Sequence, residues 1–258
     1  MPLIDPVALN DLLDPVRGRF DVDSVDECDS TNSVLMRRAT EGAPSGTVLV
    51  ADRQSAGRGR RGRNWVSTPE SGLLFSLLWR FNRPLSDLSG LSLAVGIAVV
   101  EALQTAGAQS VSVKWPNDVL YQDAKLAGIL VELAGDARGA LAIIGIGLNL
   151  HSPAGDLPQP ACGLDAIVRD LPDRHFILAK ILIALAGVLD QFNACGFAAL
   201  QTRWQQYHAW QGQQVRVLAD GSAELGGICL GADQDGALLL ETPQGIRRFL
   251  SGEISLRR

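Results

Sequence analysis

The chain has 258 residues, 47% of them hydrophobic and 20% charged, with a formal net charge of −5. That length suits one large domain, or one domain with a small appendage, and the acidic total argues against a protein whose main business is coating nucleic acid. Cysteines at 28, 162, 195 and 229 show neither metal-site spacing nor a secreted disulfide framework, so four thiols in a reducing cytoplasm are expected.

Taken in chain order, residues 6–17 read as a short helix, with Val7, Leu9, Leu12, Leu13 and Val16 at helical spacing. Residues 21–28 read as a strand, and Asp29-Ser30-Thr31-Asn32 offers N-cap candidates for a helix containing Val34, Leu35 and Ala39. Strands follow at 46–51 and 73–81, with a loop at 52–65 between them. A long helix is expected over 86–106, ended by Gly107. Then come strands at 110–114, 119–121, 126–133 and 141–150, the last three suited to consecutive antiparallel pairing. Residues 151–163 form a proline-rich loop, and helices are expected at 172–194 and 198–209.

The character changes near Gly212, where short strands begin to alternate with turn signals such as Asp220-Gly221 and Asp235-Gly236. The expectation is a mixed α/β unit over 1–210 and a small closed barrel over 211–258. The N-terminus has no basic start or apolar core of a signal peptide. The apolar stretches 91–103 and 181–189 fall short of the roughly 20 residues that cross a bilayer, so they read as buried helices and no membrane partner is expected.

Residues 57–65 read Gly-Arg-Gly-Arg-Arg-Gly-Arg-Asn-Trp. Arg58, Arg60, Arg61 and Arg63 supply charged forks that match carboxylate and phosphate oxygens, and the interleaved glycines permit unusual dihedrals and close backbone approach. Such a loop suits folding over one small anion. A solvated basic loop or an RNA patch are the alternatives, the latter disfavoured by the acidic total charge. In Lys114-Trp-Pro-Asn-Asp118 the proline cannot continue a strand, so the chain turns and presents Asn117 and Asp118 together. With Lys125, which opens the next strand, these groups could polarise a carboxylate and hold a nucleotide phosphate with its magnesium; the alternative is an ordinary surface turn. Gly145-Ile-Gly-Leu-Asn149 is weaker, usually a strand with close packing, though Asn149 could reach a base or sugar. The helix start at 29–32 could cap only itself, or bind a small polar ligand.

Together and in this order, Asp-Ser-Thr-Asn (29–32), Gln54, the run 57–65, Lys-Trp-Pro-Asn-Asp (114–118), Lys-Leu-Ala-Gly-Ile-Leu-Val-Glu (125–132), Gly-Ile-Gly-Leu-Asn (145–149) and Gly-Glu-Ile-Ser-Leu-Arg (252–257) resemble the biotin protein ligases. The resemblance implies an α+β fold: a mixed, largely antiparallel sheet of the class II synthetase-like biotin/lipoate ligase type, followed by an SH3-like barrel. It implies ATP and Mg²⁺ as co-reactants, biotin as substrate, a biotinyl-5′-adenylate intermediate, and a lysine of the biotin carboxyl carrier protein of acetyl-CoA carboxylase as acceptor. Ser30, Thr31, Asn32 and Gln54 would then sit at the ureido end of biotin. Arg58, Gly59 and Arg60 would close over the carboxylate and α-phosphate, with Trp65 as an apolar wall and Lys125, Gly128 and Leu130 completing the biotin pocket. Lys114, with Arg58 and Arg60, would act at the reacting centre. Arg61, Arg63, Asn117, Asp118 and Asn149 would lie on the nucleotide side, with Asp118 toward the metal.

About 20 residues precede the first strand, too few for the helix-turn-helix unit of bifunctional members, so no DNA partner and no repression are expected. The loop 151–164 also lacks the tryptophan by which some relatives cover adenine. A monomer and a homodimer remain equally compatible with the sequence. A lipoate ligase, an octanoyltransferase and a biotin sensor without turnover are the competing functions.

Overall fold

The computed structural model describes residues 3–136, 138–153, 157, 159–219, 225–251 and 254–257. Helix α1 (Pro6–Leu12) starts where Asp5 accepts the Val7 N–H and buries Leu9. The helix expected to continue to residue 17 stops there, because Pro15 directs the chain into a separate 3₁₀ turn, Asp14–Val16.

Seven strands build the main sheet: β1 (Asp21–Cys28), β2 (Thr47–Gln54), β3 (Gly72–Phe81), β4 (Val111–Lys114), β5 (Asp118–Tyr121), β6 (Ala124–Asp136) and β7 (Gly139–Asn149), in the order β1-β2-β3-β7-β6-β5-β4. Only the β1–β2 pair is parallel, so that pair needs a crossover, which α2 (Thr31–Thr40) supplies. The strands expected at 119–121, 126–133 and 141–150 pair as a consecutive antiparallel set. The β5–β6 turn is made by two non-glycine residues at positive φ, Gln122 and Asp123.

Helix α2 covers one face through Leu35 and Ala39 on Leu49, Leu78, Leu141 and Ile143. The opposite face packs on α3 (Leu91–Thr105) and α4 (Arg174–Cys195). With both faces covered, β3 reads as a continuous apolar run rather than an alternating one. Ser76 is its fully buried polar interruption. By length and composition α4 could cross a membrane, yet 56% of its most apolar stretch is buried inside the protein, where it packs against α1 and α3.

The helix expected over 86–106 is two pieces, a 3₁₀ turn Leu85–Leu88 and then α3, parted by Gly90 at φ 79°. That kink serves the docking of a second sheet. After α5 (Gln201–Tyr207), strands β8 (Gln214–Ala219), β9 (Leu225–Ala232), β10 (Leu238–Thr242), β11 (Gly245–Phe249) and β12 (Ile254–Arg257) form an antiparallel sheet ordered β11-β10-β9-β8-β12. This antiparallel sheet is consistent with the small SH3-like unit expected; among the described residues no ladder joins β11 to β12, and the expected turn at 220–221 lies outside the described residues. Gly236, at φ 80°, rests on Gly90 so closely that an added Cβ would lie 2.6 Å from the Gly90 Cα. Trp115 Nε1 donates to the Gly236 carbonyl at 3.0 Å, and Ser89 Oγ to that of Asp235 at 2.6 Å.

Candidate active site

A cavity of about 530 Å³ opens between the main sheet, the 57–65 segment and the end of β12. Its floor is made of missing side chains. Gly128 on β6 pairs with Gly147 on β7, and Leu130 with Gly145, so alternation places Gly128, Gly145 and Gly147 on one sheet face. A Cβ on Gly147 would fall 2.5 Å from the Trp65 ring, one on Gly128 2.8 Å from it, and one on Gly145 2.2 Å from Asn32 Oδ1. Trp65 therefore lies across a glycine window, with Lys125 Nζ 5.3 Å from its ring centre.

One end of the cavity is the start of α2. Ser30 holds the N-cap position, but its hydroxyl makes no capping bond, contrary to the ordinary expectation for serine there. Gln54 instead accepts the Thr31 N–H at 2.8 Å and the Thr31 hydroxyl at 3.2 Å. Ser76 Oγ donates to Asn32 Oδ1 at 2.6 Å and meets Thr31 Oγ1 at 2.7 Å. Ser30, Thr31 and Asn32 are buried, so this end is a dehydrated array of hydroxyls and amides. Such an array suits a small polar, uncharged group.

The roof is the arginine segment, and it is a compact hairpin. Arg58 bridges Asn64, the Gly59 N–H donates to Arg63 O at 2.7 Å, and the Trp65 N–H donates to Gly57 O at 2.9 Å. Of the three glycines only Gly62 takes positive φ; Arg61 takes it as well, at 59°. Gly57 is required for closeness instead, since a Cβ there would lie 2.5 Å from the Trp65 carbonyl.

The far end is cationic. Asp118 receives Lys125 Nζ at 2.6 Å and Lys114 Nζ at 3.8 Å. Lys114 is buried, and desolvation, partly opposed by Asp118, lowers its pKa from 10.5 to about 8. Its ammonium also lies 4.9 Å from the Trp210 ring centre. Burial pulls the Arg60 pKa below its ordinary value, against the pull of Asp118. Arg60 Nη1 donates to Asn117 Oδ1 at 3.3 Å, while Asn117 Nδ2 donates to Ile129 O at 2.7 Å, so Asn117 ties the roof to β6. Arg257, from β12, lines the same end, and its pKa is lowered by burial first and then by Arg63. Asn149 donates to the carbonyls of Lys125 (3.3 Å) and Cys162 (3.1 Å), pinning the 159–163 loop beside the cavity.

Every site residue expected from the sequence lines this one cavity: Ser30, Thr31, Asn32, Gln54, Arg58, Gly59, Arg60, Arg61, Arg63, Trp65, Lys114, Asn117, Asp118, Lys125, Gly128, Leu130 and Asn149. Sequence reasoning gave no site role to Ser76, Glu132 or Arg257. A lone serine inside the apolar run 73–81 was a usable signal for the first; Glu132 and Arg257 close the quoted runs 125–132 and 252–257, which gave neither a role at the site. Asp118, the expected metal ligand, is occupied by two ammoniums. Among the described residues no group of three or more His, Cys, Asp or Glu side chains converges. The donor set does not fit a resident metal cage, and magnesium suits it only as a companion of nucleotide phosphates.

Residues 25–149 match the model of the biotin/lipoate A/B protein ligase family, and residues 212–257 that of the biotin protein ligase C-terminal domain. The chain is 39% identical over 238 residues to the bifunctional ligase/repressor BirA of Escherichia coli, covering 89% of this chain and 72% of that protein. It is 33% identical to the biotin–[acetyl-CoA-carboxylase] ligase of Mycobacterium tuberculosis, covering 93% and 91%. The structure is similar to that of the Aquifex aeolicus biotin protein ligase in complex with biotin and ATP, with a TM-score of 0.76, 35% identity, and coverage of 92% and 99%.

Proposed function

The chain belongs to the biotin protein ligases, and we propose that its cavity activates biotin with Mg-ATP and passes the biotinyl group to a lysine of a biotin carboxyl carrier protein. It is an ATP-dependent ligase with the mixed α/β fold and SH3-like C-terminal unit of that family. The observation that supports the proposed course of reaction is the polarity of the cavity. An uncharged hydrogen-bonding end at Thr31, Asn32 and Gln54 fits a ureido ring, the glycine floor under Trp65 fits a bicyclic body, and the cationic end fits a carboxylate meeting phosphates.

Adenylation joins two anions. At about 4 Å and an effective dielectric near 20, each pair of like charges opposes approach by roughly 4 kcal/mol. Lys114, Arg60, Arg63 and Arg257 are already gathered where that repulsion would develop, so no reorganisation accompanies the chemistry. The carboxylate attacks the α-phosphorus, pyrophosphate leaves, and no enzyme nucleophile is required. In the second half the deprotonated acceptor amine attacks the acyl carbon and AMP leaves. The hairpin roof shields the mixed anhydride from water between the two steps.

Magnesium enters with the triphosphate. The protein acts in the cytoplasm, consistent with its unpaired cysteines among the described residues. No action on DNA is part of this reading; the arginine cluster is assigned to the small-molecule cavity that it lines. The test is incubation with labelled biotin, ATP, magnesium and a carrier domain, with lipoate as competitor substrate. Pyrophosphate release and acceptor-lysine labelling with biotin alone are expected; equal turnover of lipoate, or pyrophosphate release with no transfer, would refute it.

A further inference from the structure

Glu132 stands on β6 two residues beyond Leu130, on the face that carries Gly128, just outside the cavity lining. Its Oε2 accepts two hydrogen bonds at once, from Asn32 Nδ2 at 2.7 Å and from Arg58 Nη2 at 2.7 Å. The first donor belongs to the buried polar end of the cavity, the second to the roof. Asn32 is fixed on its other side by Ser76, and its amide sits where a Gly145 Cβ would otherwise be. Among the described residues the Arg58 guanidinium is held by Glu132 through Nη2, and Arg58 lines the cavity, so its other N–H groups can serve an incoming anion.

We propose that Glu132 is a positioning residue: one carboxylate oxygen fastens the roof arginine Arg58 to the floor amide Asn32, so that roof and polar end are set as a unit before substrate arrives. This rests on the assignment of the hairpin as the cover of the activated biotin. Both partners are donors, so an acceptor oxygen is needed, and a carboxylate makes the bonds charge-assisted, which are stronger than neutral ones. Glu132 touches no substrate in this arrangement and acts through its two partners.

The experiment compares Glu132→Ala, Glu132→Gln, Arg58→Ala and the double variant Glu132→Ala/Arg58→Ala, in the full chain. Four quantities are measured: KM for biotin, KM for ATP, labelling of bystander protein lysines by escaped adenylate, and thermal midpoint. Glu132→Ala should raise the biotin KM and the bystander labelling by roughly tenfold, the usual effect of losing a hydrogen bond to a charged group. The ATP KM should rise less, since Lys114, Arg60, Arg63 and Arg257 at the cationic end keep their places. Glu132→Gln keeps the acceptor without the charge and should recover part of both effects, with an unchanged midpoint. Bystander labelling by the double variant should match that of Arg58→Ala alone. Wild-type behaviour of both Glu132 variants beside a leaky Arg58→Ala would overturn the Glu132 assignment, as would additive leakage in the double variant. A silent Arg58→Ala would instead overturn the assignment of the hairpin as cover.

Discussion

Lys114 is the residue whose replacement should move stability and activity in opposite directions. It is 7% exposed and its pKa lies near 8 rather than 10.5. At 1.36 kcal/mol per unit, holding that ammonium in the ligand-free cavity costs the fold about 3 kcal/mol at neutral pH. The sign follows from proton counting. Between about pH 8 and 10.5 the unfolded chain binds the proton and the folded chain does not, so stability rises with pH across that window. Lys114→Met removes the burden, and Asp118 retains its 2.6 Å partner Lys125, so no carboxylate is left bare. Allowing for the lost contacts to Asp118 and Trp210, the variant should melt at least about 2 °C higher at pH 7, an advantage that shrinks toward pH 10. Pyrophosphate release should meanwhile fall by roughly 10²–10³, the loss seen when one charge-stabilising donor is removed. In the wild-type protein kcat/KM for adenylation should decline as pH passes about 8, where the free enzyme loses that charge. Differential scanning fluorimetry and a pyrophosphate assay over pH 7–10 decide the matter (roughly the span of the window). A Lys114→Met protein that melts lower and adenylates normally would refute the reasoning.

Arg257→Ala should raise the ATP KM by roughly 10-fold or more while leaving biotin binding intact, measured by adenylation kinetics and by calorimetry without nucleotide. Gly145→Ala forces a Cβ to within 2.2 Å of Asn32 Oδ1, displacing the amide that joins Ser76 to Glu132; isothermal titration should show biotin affinity down by roughly tenfold or more. Arg60→Gly frees the roof from Asn117, and mass spectrometry should find biotin on lysines of bystander proteins. Labelling confined to the carrier domain would count against the roof as a seal.

The order and identity of the strands were legible because apolar runs bounded by turn residues report burial directly, and β5, β6 and β7 pair as their short links require. Boundaries were less legible where tertiary contact decides them. Gly90 breaks a helix that its apolar pattern would continue, because Gly236 needs its surface. The motif residues line one cavity, yet their local contacts differ from naive expectation. Ser30 does not cap and Gln54 does the work across the sheet; Asn117 spends its amide on β6 and Arg60. Arg257 ends a quoted motif, but its place at the cavity was not legible, since the docking of the second sheet is what brings position 257 beside Asp118 and Arg63.

That docking has a bearing on how the protein is born. The ribosome emits the helix start, the hairpin, both lysines and the glycine floor well before it emits position 257. The cavity's full complement of positive charge therefore needs the last strand as well as the main sheet. The charge of the cationic end is thus conditional on the seat at Gly90: a change that lifts the second sheet off its glycine contact withdraws one of the cations that line the cavity.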